Sequence, residues 1–344
     1  LAQYGSMAAE SEARIAIPLL LNRAAPVHAA MQEIAGRTMG TSWSAKFVGS
    51  SAAAQTMHRA IGAALDRVVA QMSTWENESA INRFNRGPAG VWHMLPGEFA
   101  CVIAAALRIA GETKGAFDPT MGPLVDLWGF GQAGRPRALP SMPDIAQQRD
   151  LCGWRQLEFD AENRRLRRVS EGRLDLSGIA KGFAVDLMMT TLHQHGIHHA
   201  LVEIGGELSG AGVKPDGAPW WVDIDAPFVG PALAVPPLRV ALHGLAIATS
   251  GCERGYVGDG RHLSHTIDPH TGTPINNGTV TATVLHASCM EADAYATALM
   301  VMGVDAAIAF ATRHALAVAI RFHSDHDADA IDERLSPALQ AMLG

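Results

Sequence analysis

Residues 156–186 read QLEFDAENRRLRRVSEGRLDLSGIAKGFAVD. The runs 156–160 and 165–169 alternate apolar and polar residues around Ala161-Glu162-Asn163, so they predict a β-hairpin. RLDLS at 173–177 predicts a third strand. Ser177 then has the chemistry of an N-cap for a helix over about 178–194, which Gly196 stops. A hairpin that feeds a strand, and only then a helix, is not the strand–helix–strand repeat of a doubly wound sheet. The fold class this implies is α+β: mixed or antiparallel sheets with packed helices, in a single domain.

Upstream, residues 1–33 show no sustained period. They are expected to form an N-terminal arm, a tag remnant or poorly ordered, with 34–344 the folded domain. A strand ends in MGTSWSAKF (39–47). Residues 53–72 predict a helix with Met57, Ile61, Leu65, Val68, Val69 and Met72 on one stripe. STWENES (73–79) is turn-like, and a second helix spans about 97–113. Residues 119–153 hold many Gly and Pro and read as a long, irregular loop. Downstream, ALVEIGGEL (200–208) predicts a buried strand entering a glycine turn. WWVDIDAP (220–227) and the stretches near 238–250 and 279–286 predict further strands. Helices begin at MEADAYATAL (290–299) and at 304–315.

The chain has 344 residues, 48% hydrophobic and 18% charged, with a formal net charge of -7. That balance excludes a nucleic-acid footprint, which needs a basic stripe. The one basic run, RRLRR (164–168), reads as a solvated strand edge. Cys101, Cys152, Cys252 and Cys289 lack the spacing of a disulfide framework or a zinc site. IAIPLLL (15–21) is short and holds Pro18, so no transmembrane segment is expected. HQHGIHH (193–199) reads as a helix C-terminus with its turn, and FHSDHDADAIDE (322–333) as a surface loop.

Four constellations carry chemistry, each beside a structural alternative that the residues leave open. In LDLSGIAKGFAVD (174–186), small residues and Lys181 stand at a helix start, where free N–H groups favour phosphates. The alternative is a plain strand–helix junction. GAFDPTMGPLVDLWGFG (115–131) offers Phe117, Trp128 and Phe130 to flank a planar ring, or else a loop covering the core. ATSGCER (248–254) with LSHTIDPHTGTP (263–274) gathers hydroxyls, Arg254, Asp268 and His265, a candidate general base. A Ser-His-Asp hydrolase would need an elbow motif that is absent. In MEADAYATAL, Asp293 and Thr297 lie four apart on one helix face and suit a hard, oxygen-preferring cation, or an ordinary half-exposed face.

Together MGTSW (39–43), MSTWENESAINRFN (72–85), GAFDPTMGPLVDLWGFG, LDLSGIAKGFAVD, LVEIGGEL (201–208), ATSGCER, LSHTIDPHTGTPI (263–275) and MEADAYATALMVMG (290–303) resemble the ApbE family, the FAD:protein FMN transferases. The resemblance implies an ApbE-like, T-fold-related domain. It also implies a reaction in which FAD binds with Mg²⁺ and a target protein's threonine hydroxyl attacks the FMN phosphorus. A phosphoester forms and AMP leaves. Carried over by residue, it implies metal ligands at Asp293, Thr297 and a backbone oxygen near Gly178. It implies FAD contacts at Met39, Trp75, Ala116, Phe117, Asp118, Asp175, Lys181 and Ile267, with His265 as base for the incoming hydroxyl. The implied partner is a flavoprotein subunit of a membrane redox complex. The implied location is the periplasm or cell envelope, although no signal peptide or lipid-attachment cysteine is visible and a cytoplasmic place stays open. Two departures stand out: Trp75 where the family often has Tyr, and Cys252 at a position often acidic. The same site would serve an FAD pyrophosphatase, with water as nucleophile, and a non-catalytic FAD carrier is the rival of another class.

Overall fold

The computed structural model describes residues 13–18, 30–224, 236–258, 260–324 and 330–343. Its centre is an eight-stranded sheet in the order Ile331–Leu335, Ala317–His323, Thr279–His286, Leu245–Gly251, Glu207–Ala211, Ala200–Ile204, Thr41–Val48, Met31–Thr38. Every neighbouring pair in it is antiparallel. The alternation of Ala200–Ile204 explains how such a sheet is covered twice. Ala200, Val202 and Ile204 point to a large helical core, while Leu201 packs in a second core behind the sheet.

The helical layer consists mainly of Ser51–Met72, Gly97–Glu112, Ala180–Gln194, Cys289–Met302 and Val304–Arg313. The stripe Met57, Ile61, Leu65, Val68 and Met72 of the first helix is buried as its spacing predicts. The opposite face is covered by a three-stranded sheet, Arg14–Ala16, Leu238–Leu242 and Trp220–Ile224, and by the short helix Pro337–Gln340. Trp220 and Leu242 fill that second core. The α+β expectation with antiparallel sheets and packed helices holds. Among the described residues no helix is long and apolar enough to cross a membrane.

Away from the cleft, local expectations change in five places. The division at residue 33 falls inside a strand, because Met31–Thr38 pairs along its length with Thr41–Val48. Arg14–Ala16 is also a strand, parallel to Leu238–Leu242. Residues 1–12 and 19–29 of the expected arm lie outside the described residues. The 119–153 loop holds two helices, Gly122–Leu127 and Met142–Asp150. The second starts with a capping box between Ser141 and Asp144 that the sequence spells out. A further helix, Ala80–Arg86, follows the turn at 73–79 with Ser79 as its N-cap. The hairpin Leu157–Asp160 with Arg165–Arg168 forms as expected, but its basic strand is not wholly solvated. Arg168 is buried and donates to the carbonyls of Asn85 at 3.0 Å, Gly172 at 2.7 Å and Gly87. Finally, the ends of 322–333 belong to the last two sheet strands, with 325–329 outside the described residues.

The pairing of two helices positions the site. A Cβ added at Gly182 would lie 2.3 Å from the Cys289 carbonyl and 2.8 Å from Asp293 Cβ, so Ala180–Gln194 and Cys289–Met302 meet backbone to backbone. Asp186 fixes their register. Its carboxylate accepts from Ser288 Oγ at 2.7 Å, Cys289 N at 2.8 Å and Met290 N at 3.0 Å, capping the start of the second helix from the first. Burial pushes this carboxyl up and the three donors oppose the rise. Replacing Asp186 by Ala is expected to cost ~2–4 kcal/mol, since it leaves buried donors unsatisfied at a helix start. Denaturant unfolding measures this, and a loss under ~1 kcal/mol would show that solvent replaces the cap.

Candidate active site

A cleft of about 640 Å³ opens where the paired helices meet the ends of central strands. Ala116, Phe117, Asp118, Asp175, Gly178, Lys181, His265, Ile267, Asp293 and Thr297 all line it. Segments separated by more than a hundred residues are thus brought to one wall. Met39 and Trp75 are not lining residues. Met39 stands at the turn after Met31–Thr38, with φ 47°, and packs against the main core. Trp75 is 65% exposed. It lies between Thr74 and Asn77, which line a neighbouring hollow of about 290 Å³ that shares Asp175 with the cleft.

The cation candidates form a tight oxygen-rich corner. Asp293 is buried, and its Oδ2 accepts from the Gly182 N–H at 3.0 Å. Burial pushes its carboxyl up, while the nearby Lys181 ammonium pulls it down. Thr297 Oγ1 lies 3.3 Å from Ser250 Oγ. A Cβ at Gly178 would fall 2.8 Å from Thr297 Oγ1, so this glycine holds its backbone against the hydroxyl. Carboxylate, hydroxyl and backbone oxygens are the donor set of a hard dication that keeps sites for water and phosphate. No group of three or more His, Cys, Asp or Glu suited to a metal exists among the described residues. The donors that meet in the corner are all oxygens, the type a hard cation prefers.

The helix start is built differently from its sequence reading. The residues 173–177 form no strand beyond an isolated bridge between Arg173 and Met121. Ser177 does not cap; its N–H donates to Asp175 Oδ1 at 2.8 Å. The helix begins at Ala180 with Ile179 at the N-cap and no side-chain cap. One early donor, the Gly182 N–H, is already committed to Asp293. Asp118 is likewise a builder of the wall. Its carboxylate accepts from Thr120 N at 2.8 Å, Thr120 Oγ1 at 2.5 Å and Trp154 N at 2.9 Å.

The aromatic reading is corrected in part. Phe117 and Phe130 line the cleft. Trp128 instead packs beneath it, with Nε1 donating to the Gly272 carbonyl at 2.8 Å. His265, also lining the cleft, pairs its Nδ1 with the Arg254 carbonyl at 2.9 Å. A carbonyl only accepts, which assigns the proton to Nδ1 and leaves Nε2 with its lone pair. Burial lowers the pKa of His265, which favours the neutral ring. Asp268 does not orient His265; it pairs with His270. This removes the Ser-His-Asp alternative. Cys252 packs at the edge of the main core and does not line the cleft.

Two residues that shape the cleft escaped the sequence reading. Asp186 sits within a quoted motif, yet its role depends on a helix about a hundred residues away. Glu207 lines the cleft, is buried, and pairs with Lys181. The glycine pair before it was the available signal.

The ApbE family profile matches residues 39–322. The chain is 37% identical to the FAD:protein FMN transferase of Vibrio cholerae serotype O1 over 90% of this chain and 92% of that one. It is 34% identical to the FAD:protein FMN transferase of Escherichia coli K12, covering 90% and 88%. Its fold is similar to the crystal structure of the Pseudomonas stutzeri flavinyl transferase ApbE in its apo form. That likeness has a TM-score of 0.84 and 35% identity, covering 92% of this chain and 98% of that one.

Proposed function

The chain belongs to the ApbE family and is an enzyme of flavin transfer, and from that premise we propose that it moves FMN from FAD to a threonine hydroxyl of a target protein, releasing AMP, with Mg²⁺. The observation that carries the reading is the convergence of Asp293, Thr297, Gly178, Lys181 and His265 on one cleft. A dinucleotide's diphosphate resists nucleophiles because it is negatively charged. Asp293, Thr297 and the backbone at Gly178 are the residues that would hold the cation. A dication held there would supply charge neutralisation to the reacting diphosphate. Lys181, partly exposed in the cleft, adds a positive charge toward the diphosphate. His265 takes the proton of the incoming hydroxyl at Nε2. The P–O bond to FMN forms as the P–O bond to AMP breaks. We place the target among subunits of membrane redox complexes, and the enzyme beside them in the cell envelope.

Lys181→Ala is expected to raise the KM for FAD about tenfold with a smaller change in kcat, because its charge faces bound and reacting phosphates alike. Steady-state kinetics in FAD checks this; an unchanged KM would remove Lys181 from the FAD site. The reading as a whole is tested by incubating the protein with FAD, Mg²⁺ and a panel of candidate target subunits, followed by mass spectrometry. Flavin joined to a threonine supports transfer. Free FMN plus AMP, without a labelled protein, would instead support the pyrophosphatase. Intact FAD with no AMP would support the carrier.

A further inference from the structure

Lys181 follows Ala180 at the helix start, and the next residue, Gly182, gives its N–H to Asp293. The Lys181 ammonium is therefore within electrostatic reach of the Asp293 carboxylate. A lysine and a carboxylate so placed, partly shielded from water, attract strongly. Yet they form no ion pair. Lys181 Nζ is bound to Glu207 Oε1 instead. Glu207 comes from another element, the first residue of the Glu207–Ala211 strand, turned into the cleft by Gly205 and Gly206 at φ 56° and 103°. Its side chain is only 4% exposed, and its second oxygen, Oε2, is buried without a hydrogen-bond partner. Burial and the Asp293 charge push its carboxyl up, and the Lys181 ammonium opposes the rise. A buried carboxyl with an unpartnered oxygen costs stability unless a partner offsets it, and Lys181 is that partner.

We propose that Glu207 is a positioning residue that latches Lys181 away from Asp293 and so keeps the Asp293 carboxylate open to the dication. Without the latch, the lysine ammonium would swing onto Asp293 and compete with the metal for the same oxygens. The proposal deepens the flavin-transfer reading and rests on Asp293 as a cation ligand. It also separates two jobs for Lys181: facing phosphate when FAD is bound, and staying off Asp293 before the cation arrives.

The test is a double-mutant cycle on Mn²⁺ affinity, with free Mn²⁺ read by electron paramagnetic resonance, on the full chain with and without FAD. Wild type, Glu207→Gln, Lys181→Met and the double variant are compared, with circular dichroism confirming that each folds. Glu207→Gln is expected to weaken Mn²⁺ binding about tenfold, as for residues that support a ligand without touching the metal. In the Lys181→Met background the same change is expected to shift affinity less than about twofold, because no ammonium remains to compete. An equal loss in both backgrounds would mean that Glu207 acts by charge at a distance, and would overturn the latch. No loss in either background would overturn it as well. If Glu207→Gln fails to fold, Glu207→Asp carries the comparison, its shorter arm drawn back from Lys181. Wild type that binds no Mn²⁺, with or without FAD, would instead sink the reading of Asp293 itself, a result distinguishable from failure of the latch alone.

Discussion

Asp293→Ala is expected to lower Mg²⁺-dependent FMN transfer by about 10³-fold or more, the range lost when a charged group that organises transition-state charge is removed. The reason lies in the donor set. Asp293 is the one charged side chain of the oxygen corner, and Thr297 and the Gly178 backbone offer only neutral oxygens. Neutral oxygens alone hold a strongly hydrated dication weakly. The fold should survive. The substitution removes a buried carboxylate whose burial is unfavourable, and leaves the Gly182 N–H without its 3.0 Å partner. These opposing effects should keep the net change within about 1–2 kcal/mol. Asp293→Asn separates them, because the amide oxygen can still accept from Gly182 while the charge is gone. Flavinylation rate and thermal unfolding midpoint are measured side by side. Full Mg²⁺-dependent transfer in the alanine variant would remove the metal assignment; loss of rate together with loss of fold would leave the asparagine variant to decide it.

His265→Ala should cost about 10²–10⁴-fold in kcat/KM, the usual range for a positioned general base. The sign of the pH effect follows from its surroundings. Burial lowers the pKa of His265 below its ordinary 6.5, so the neutral, proton-accepting ring persists to lower pH than for a free histidine. The rate should stay level near neutrality and fall with unit slope only below a midpoint under pH 6.5. The alanine variant should lose that acid limb along with the rate, whereas Asp293→Ala should change the dependence on Mg²⁺. The same shift bears on stability. A histidine with a lowered pKa in the fold gives a contribution that is complete above the unfolded value and is lost as pH falls through the folded one. A wild-type acid limb centred well above 6.5, or one that survives in His265→Ala, would assign the base elsewhere.

What could be read in advance follows the reach of each signal. The helix at 51–72 was legible because its apolar stripe repeats within the segment, and the hairpin at 157–168 because alternation and turn are local. The capping box of Ser141 was equally local and was masked by the Gly and Pro around it. The solvated reading of 164–168 failed at Arg168, whose carbonyl partners lie some eighty residues upstream as well as nearby. The departures at Trp75 and Cys252 concern positions away from the cleft wall in this structure.

By itself the sequence determined the α+β class, most of the helices and strands of the layers, and the residue types that meet in the cleft. Those properties are set by spacing along the chain and by side-chain chemistry. Tertiary structure alone decided that Gly182 would surrender its N–H to Asp293, that Asp186 would cap a helix about a hundred residues away, and that Lys181 would bind Glu207 in preference to Asp293. Each of those outcomes is a choice among several chemically acceptable partners. Such a choice is made by which backbones pack close enough to exclude water, and no local pattern records that.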